Sequence, residues 1–380
     1  MIYLDNNATT PLDSEVFKEM TPYMTTIYGN PSSIHMAGRK SKSAIEKARD
    51  QVAKALNASA SEIYFTSGGT ESDNMAIRGL AHALKDKGNH IISSKIEHPA
   101  VLNTLEELKS EGYEITLLDV DKNGFVNLEQ LERSITNKTI LITIMYANNE
   151  IGTIEPISEI GKIAKRHNVL FHTDAVQAVG HINIDLQKLG VDALSLSAHK
   201  FYGPKGVGAL YLKKGTPFSK ITFGGHQERD RRPGTENTAG IVGLGKAIEL
   251  ATALLDQNKA QIETLRDYFI SQITSKLTSV TINGDLKKRI SNNINISFSG
   301  VDGETLLQNL DLMGICVSSG SACSSGSLAP SHVLLALGLD KATAKSSIRV
   351  SLNKYNTKEE LDFTIDAIVK IVNNLRNIKY

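Results

Sequence analysis

The sequence predicts an α/β protein, in which a mainly parallel sheet covered by helices on both faces is followed by a smaller α+β domain. Three observations lead there. Between Ile63 and Thr173, short apolar runs alternate with helical patterns, the mark of strands joined by crossover helices. Beyond Asn237 long amphipathic stretches replace that alternation. The chain has 380 residues, more than one typical domain, so two hydrophobic cores are expected.

Residues 1 to 35 are rich in turn formers, with a short amphipathic helix expected from Ser14 to Met24, and they suggest little about mechanism. Ala44, Ala48, Val52 and Leu56 recur at helical spacing in a stretch that starts near Gly38, and Ile63 to Thr66 reads as a short buried strand. Ser67-Gly68-Gly69-Thr70 then opens a helix that runs to about Leu84. A strand, a glycine turn and a helix start together offer free N–H groups to an anion, and the hydroxyls of Ser67 and Thr70 suit a phosphate. An N-cap without any ligand explains the same residues equally well.

Strands follow at His90 to Ser93, Ile115 to Asp119, Ile140 to Tyr146 and Val169 to Thr173, with helices at Ala100 to Ser110, Leu128 to Ser134 and Ile157 to His167. Ligands of such sheets gather at the carboxyl ends of strands, where His98, Asn149, Asp174 and Gln177 stand. Two motifs are set aside. Asp119 to Gly124 opens like a calcium loop but has Gln130 where a bidentate glutamate belongs, and Gly240 to Ala247 resembles a phosphate loop but ends in Ala247 with no strand before it. The polar segment 230–237 closes the α/β stretch, and the remainder mixes strands at Val280 to Ile282, Ile294 to Phe298 and Ile348 to Leu352 with helices.

The stretch VDALSLSAHKFYGPKGVGALYL, Val191 to Leu212, sets Lys200 in a turn between two apolar runs. With Ser197, His199, Tyr202 and Gly203 around it the amine is partly desolvated, which suits a Schiff base. Lys200, the acid Asp174 after another strand and the glycine-turn anion site jointly meet the needs of pyridoxal phosphate: an amine for its aldehyde, a helix N-terminus for its phosphate and a carboxylate for its ring nitrogen. Taken singly, Asp174 is as well explained as a helix cap, and His98 as a local hydrogen-bond partner rather than a ring-stacking proton shuttle.

Composition narrows the function. Hydrophobic residues make up 41% and charged residues 22% of the chain, ordinary values for a globular protein, and the net charge of +1 gives no reason to invoke nucleic acid or an anionic membrane. No window approaches 18 uninterrupted apolar residues and the opening MIYLDNNATTP lacks a signal pattern, so a cytoplasmic protein is expected. Two cysteines are too few for a disulfide framework or a zinc site, and no metal is predicted. Cys316 follows Leu312, Met313 and Ile315 and reads as a buried core thiol, whereas Cys323 lies in VSSGSACSSGS with no apolar partner, in a backbone suited to carry a nucleophile.

With these motifs the chain resembles the cysteine desulfurases of the NifS/IscS type, in the aminotransferase class V group of fold-type I pyridoxal phosphate enzymes. The likeness runs end to end through YLDNNATTP (3–11), GNPSSIH (29–35), TSGGTESDN (66–74), EHPAV (97–101), NNEIG (148–152), HTDAVQA (172–178), SAHKFYGPKG (197–206), RRPGTEN (231–237) and SSGSACSSGS (318–327). The cysteine loop is similar to the longer, group I version. Two residues depart from the pattern: His226 stands where a third glycine is common, and Ala329 where an acidic residue is frequent.

The resemblance implies a large cofactor-binding domain, residues 15–255, with a mainly parallel seven-stranded sheet flanked by helices, and a small α+β domain of residues 1–14 and 256–380 carrying the catalytic loop. It implies that Lys200 holds pyridoxal phosphate covalently, that Asp174 pairs with the ring nitrogen and Gln177 with the ring hydroxyl, and that His98 stacks on the ring. Gly69, Thr70, Ser197 and His199 would hold the phosphate, with Thr235 reaching in from the second subunit of a homodimer. Asn149 and Arg349 would bind the carboxylate of L-cysteine, and Cys323 would take its sulfur as a persulfide and pass it to an iron–sulfur scaffold or a tRNA-thiolation acceptor. A selenocysteine lyase or a class V transaminase would share Lys200 and Asp174, but a transaminase has no use for Cys323.

Overall fold

The structure is a computed structural model and describes residues 1–319 and 329–377. A two-residue strand, β1 (Ile2–Tyr3), precedes the seven strands of the central sheet: β2 (Ile63–Thr66), β3 (His90–Ser94), β4 (Glu114–Leu118), β5 (Thr139–Thr143), β6 (Leu170–Asp174), β7 (Ala193–Ser197) and β8 (Gly208–Leu212). Their order across the sheet is β2-β8-β7-β6-β5-β3-β4. Strands β3 to β7 pair in parallel, whereas β8 runs antiparallel to both neighbours, with Leu212 opposite Ala193 and Tyr211 opposite Ile63.

The near-continuous apolar runs have a direct cause. Successive side chains of a strand point to opposite faces, and here both faces are covered. Ile92, Ile142 and Leu194 pack on one face and their neighbours Ile91, Leu141 and Ala193 on the other. The first face is covered by α1 (Ser14–Thr25), α2 (Met36–Leu56) and the helix Thr238–Ala253, through Val16, Ile45 and Ile241. The second is covered by α3 (Gly69–Ala83) and α4 (Pro99–Ser110), through Ile77, Leu80 and Val101. Each such side chain contributes roughly 1.5–3 kcal/mol by leaving water. Cutting the fully buried Phe171 to alanine would cost about 3–5 kcal/mol.

The later part of the chain forms β9 (Val280–Ile282), β10 (Asn293–Phe298), β11 (Ile315–Cys316) and β12 (Ser347–Ser351). An antiparallel sheet of order β12-β10-β9 packs against the helices Leu255–Lys276 and Lys358–Asn377 around Phe269, Ile296, Phe298, Ile348 and Ile368. Leu4 belongs to this second cluster, because β1 leaves the start of the chain to pair in parallel with β11. No single helix among the described residues is long and apolar enough to cross a membrane.

Several expectations shift by a few residues. Regular pairing stops at Thr143 rather than Tyr146, although the N–H of Tyr146 still donates to the carbonyl of Asp174 at 2.8 Å. Asp119 to Gly124 is a turn, closed by the N–H groups of Asn123 and Phe125 on Asp121, and Gly240 to Ala247 lies inside a helix. Cys316 is corrected: it is only partly buried, because the preceding Leu312 and Met313 face outward, at 85% and 41% exposure, and β11 is a two-residue edge.

Candidate active site

Strand β2 ends at Thr66 and α3 begins at Gly69, so Gly69 and Thr70 bring the helix N-terminus to the wall of a cavity of about 260 Å³. Gly208 on the neighbouring strand makes this approach possible. A Cβ there would lie 2.5 Å from the carbonyl of Leu196 and 2.7 Å from the Cα of Gly68. Ser197, the last residue of β7, and His199 in the following turn line the same wall. The Nδ1 of His199 lies 3.1 Å from Thr9 Oγ1, and burial pushes its pKa down to about 4, so the ring meets an anion as a neutral hydrogen-bonding group.

Asp174 ends β6 and is 5% exposed. Its Oδ1 accepts the N–H of Val176 at 2.9 Å. Burial pushes the carboxyl above its ordinary range, and the Val176 N–H and the positive charge of Lys200 pull it back. Lys200, in the turn after β7, donates from Nζ to the carbonyls of Asn7 at 2.5 Å and Ala8 at 2.8 Å. The Nε2 of Gln177 donates to the same Asn7 carbonyl at 2.9 Å.

His98 caps α4, and its Nδ1 accepts the N–H of Ala100 at 3.1 Å. A ring nitrogen that accepts holds no proton, so the neutral ring carries its proton on Nε2. Burial keeps the ring neutral by lowering its pKa, helped by the charge of Lys200 and opposed by Asp174. On another side of the cavity, Arg349 on β12 is 1% exposed and donates from Nη1 to the carbonyl of Asn149 at 2.9 Å and from Nη2 to Asp5 Oδ1 at 2.8 Å.

Ten sequence-predicted residues therefore surround one space: Gly69, Thr70, His98, Asn149, Asp174 and Gln177, joined by Ser197, His199, Lys200 and Arg349, with Thr70 and Gly69 supplied by a helix start. Thr235 is exposed and does not line this cavity of its own chain. Its segment is tied to the start of α3 by the pair Arg232–Glu71 at 2.8 Å, while Glu71 also accepts the N–H of Ser67 at 2.6 Å. Cys323 lies outside the described residues.

The first ten residues overturn the expectation that they say little. Asn7 takes part in bonds to Lys200, Gln177, Asn149 and Asn292, Asp5 holds Arg349, and Thr9 meets His199. Asp73, one turn into α3, also lines the cavity. The polar run Asp5-Asn6-Asn7 beside an apolar Ile2-Tyr3-Leu4 was the available signal, but nothing local tells which distant residues it meets.

An aminotransferase class-V family model matches residues 2–363. A cysteine desulfurase IscS of Dictyoglomus turgidum is 55% identical over 377 residues, covering 99% of this chain and 96% of that protein. The chain belongs to the aminotransferase class-V family, among its cysteine desulfurases. Solved structures agree with this placement: a NifS-like protein superposes with a TM-score of 0.93 at 41% identity, covering 98% of this chain and 99% of that one. SspA in complex with cysteine reaches 0.82 at 37% identity, covering 94% of this chain and all of its own 100%.

Cysteine desulfurases of this family use pyridoxal phosphate, and the residues present fit it. A helix N-terminus flanked by Ser197 and His199 suits its phosphate, and the buried carboxyl of Asp174, held above its ordinary pKa by burial, suits a protonated ring nitrogen. The Lys200 amine stands at the same cavity for the aldehyde.

Proposed function

We propose that this cysteine desulfurase takes sulfur from free L-cysteine through Lys200, Asp174, His98, Arg349 and Cys323, releasing L-alanine. The observation that carries the reading is one cavity holding an amine, a buried carboxylate and a buried guanidinium: Lys200, Asp174 and Arg349. Pyridoxal phosphate, once bound, supplies the electron sink for bonds breaking at the substrate's α-carbon.

The chain's residues do the rest. Arg349 and Asn149 receive the substrate carboxylate, Arg349 already oriented by Asp5. Lys200 Nζ takes the substrate's α-proton, because His98 presents Nε2–H and has its other nitrogen occupied by Ala100. His98 acts as the donor that returns a proton. Cys323 as a thiolate attacks the substrate sulfur: a sulfur–sulfur bond forms, the carbon–sulfur bond breaks and its electron pair stays with the carbon, which leaves as alanine after protonation.

We place the division of the chain at residues 15–255 and at 1–14 with 256–380, supported by two separate hydrophobic clusters of which the second contains Leu4. A homodimer in which Thr235 completes the phosphate site of the other subunit is part of this reading, supported by the exposure of Thr235 outside the cavity of its own chain. The persulfide passes to an iron–sulfur scaffold protein or a tRNA-thiolation acceptor in the cytoplasm, where a working thiol stays reduced. The test is release of alanine and sulfide from L-cysteine by the loaded enzyme in the presence of thiol, set beside L-selenocysteine and a keto-acid amino acceptor. Stoichiometric alanine from L-cysteine supports the reading; turnover with L-selenocysteine alone, or amino transfer to the keto acid, would replace it with a lyase or a transaminase.

A further inference from the structure

We propose that Asp73 is a positioning residue for the cofactor's ring nitrogen, a second carboxyl in the cavity that shares one negative charge with Asp174. The proposal rests on reading the cavity as the pyridoxal phosphate site and deepens it, since none of the roles above uses Asp73. On α3 it follows Gly69 and Thr70 by four and three residues, which puts all three on one helix face toward the cavity they line.

The surroundings of Asp73 set its state. The residue is 1% exposed, and its Oδ1 has no hydrogen-bond partner. His172 Nε2 lies 3.7 Å from this oxygen, too far for a hydrogen bond. That ring is engaged elsewhere, with Nδ1 2.8 Å from Thr143 Oγ1 and Nε2 3.0 Å from Ser195 Oγ, and burial pushes its pKa down to about 3, so it brings no positive charge. Glu97, facing from the segment after β3, is pushed up to about 8 by burial and is neutral at pH 7. The Ser195 hydroxyl eases the carboxyl of Asp73, but burial and the charge of Asp174 together raise it well above the ordinary range.

Two carboxyls in one dry space do not both ionise at neutral pH. Asp174 has the N–H of Val176 and the positive charge of Lys200 beside it, so it keeps the charge and Asp73 keeps the proton. The arrangement has a reserve built into it. Where Asp174 cannot be charged, Asp73 is relieved of its repulsion and takes the charge over, still against the ring nitrogen.

The test uses two readouts. In cofactor-free protein, Asp73 holds a proton that the unfolded chain releases above its ordinary pKa of 3.8, so its contribution lowers stability as pH rises above that value. Asp73→Asn should therefore lose less thermal stability than the parent between pH 5 and pH 8, and Asp73→Ser, smaller and also neutral, repeats the measurement should the amide not fit. In protein loaded with pyridoxal phosphate labelled at the ring nitrogen with nitrogen-15, Asp174→Asn should retain part of the protonated-nitrogen signal, and Asp174→Asn with Asp73→Asn should lose it. Parent-like pH dependence in both neutral variants, or identical signals from the single and double variants, overturns the proposal. Parent protein that takes up no pyridoxal phosphate overturns the cavity reading itself, and the proposal with it.

Discussion

Arg349 donates to Asp5 at 2.8 Å, with the guanidinium 1% and the carboxylate 17% exposed. The side chain expected to receive the substrate carboxylate is thus fixed by a residue from the opposite end of the chain before any substrate arrives. Asp5→Asn keeps the shape and removes the charge, leaving a buried cation less well compensated. Stability should fall by about 1–3 kcal/mol, less than for a fully buried pair because Asp5 is partly wet. L-alanine, whose carboxylate replaces the lost charge, should raise the urea midpoint of the variant more than that of the parent. Equal midpoints for variant and parent without ligand would contradict this.

Removing the amine should remove the covalent link. Lys200→Ala treated with borohydride should leave no cofactor fixed to protein, read by absorbance after denaturation. Asp174→Ala should cut turnover at least about a hundredfold, roughly 2.7 kcal/mol, because the carboxylate assigned to the ring nitrogen is lost and Asp73 replaces it only in part. A loss of only a few-fold would mean that another group holds that nitrogen.

The pH dependence of stability has a worked sign. Glu97 is pushed from 4.5 up to about 8, so between those values the folded protein keeps a proton that the unfolded chain has released. Its contribution therefore falls as pH rises through this window. His172, His181 and His199, pushed down to about 3 or 4, act oppositely, but only below the ordinary histidine value of 6.5. From pH 6.5 to pH 8 these histidines no longer contribute, the raised carboxyl of Asp73 acts alike in parent and variant, and Glu97→Gln should remove about 2 kcal/mol of the decline in cofactor-free protein. Denaturant midpoints at the two pH values decide it; parallel declines would show Glu97 ionised in the fold.

The two cysteines should separate cleanly. After incubation with L-cysteine, mass spectrometry should find the extra sulfur on Cys323, and Cys323→Ser should bind cofactor yet transfer no sulfur. Cys316→Ser, at a partly buried edge, should cost under about 1 kcal/mol and keep activity. Persulfide on Cys316 would overturn the assignment.

If each site draws on two chains, Lys200→Ala and Thr235→Ala should each be impaired alone and partly active when mixed, since a mixed dimer contains one site free of both changes. No recovery after demonstrated subunit exchange would mean that Thr235 serves its own chain.

Much of this was legible in the sequence because it is local or periodic. Apolar runs such as Ala193 to Ser197 report a strand buried on both faces, and polar residues directly after strand ends, Asp174 and Lys200 among them, mark the ligand side of a parallel sheet. What escaped depends on contacts distant in the chain. Strand β1 is too short to show a period, so its pairing with β11 and the arrival of Asp5 and Asn7 beside Arg349 and Lys200 had no local signal. Asp73 sits inside a helix pattern where an acid reads as a solvent-facing residue, and only the fold shows it to be dry. Cys316 was misjudged for the converse reason, apolar neighbours that the fold turns outward.

The joining of Asn6 and Asn7 to Ser351 also sets an order of events during synthesis. The amide of Asn6 donates to the Ser351 carbonyl across 345 positions, and the N–H of Asn7 donates to the Ser351 hydroxyl. The sheet bearing Asp174 and Lys200 is complete once Leu212 has emerged from the ribosome, and as a domain it can begin to fold there. The Ser351 groups that anchor Asn6 and Asn7, whose carbonyl holds the lysine, are made only with β12. A nascent chain can thus acquire its scaffold early, while the anchoring of Asn7 beside Lys200 is completed only when nearly the whole message has been read.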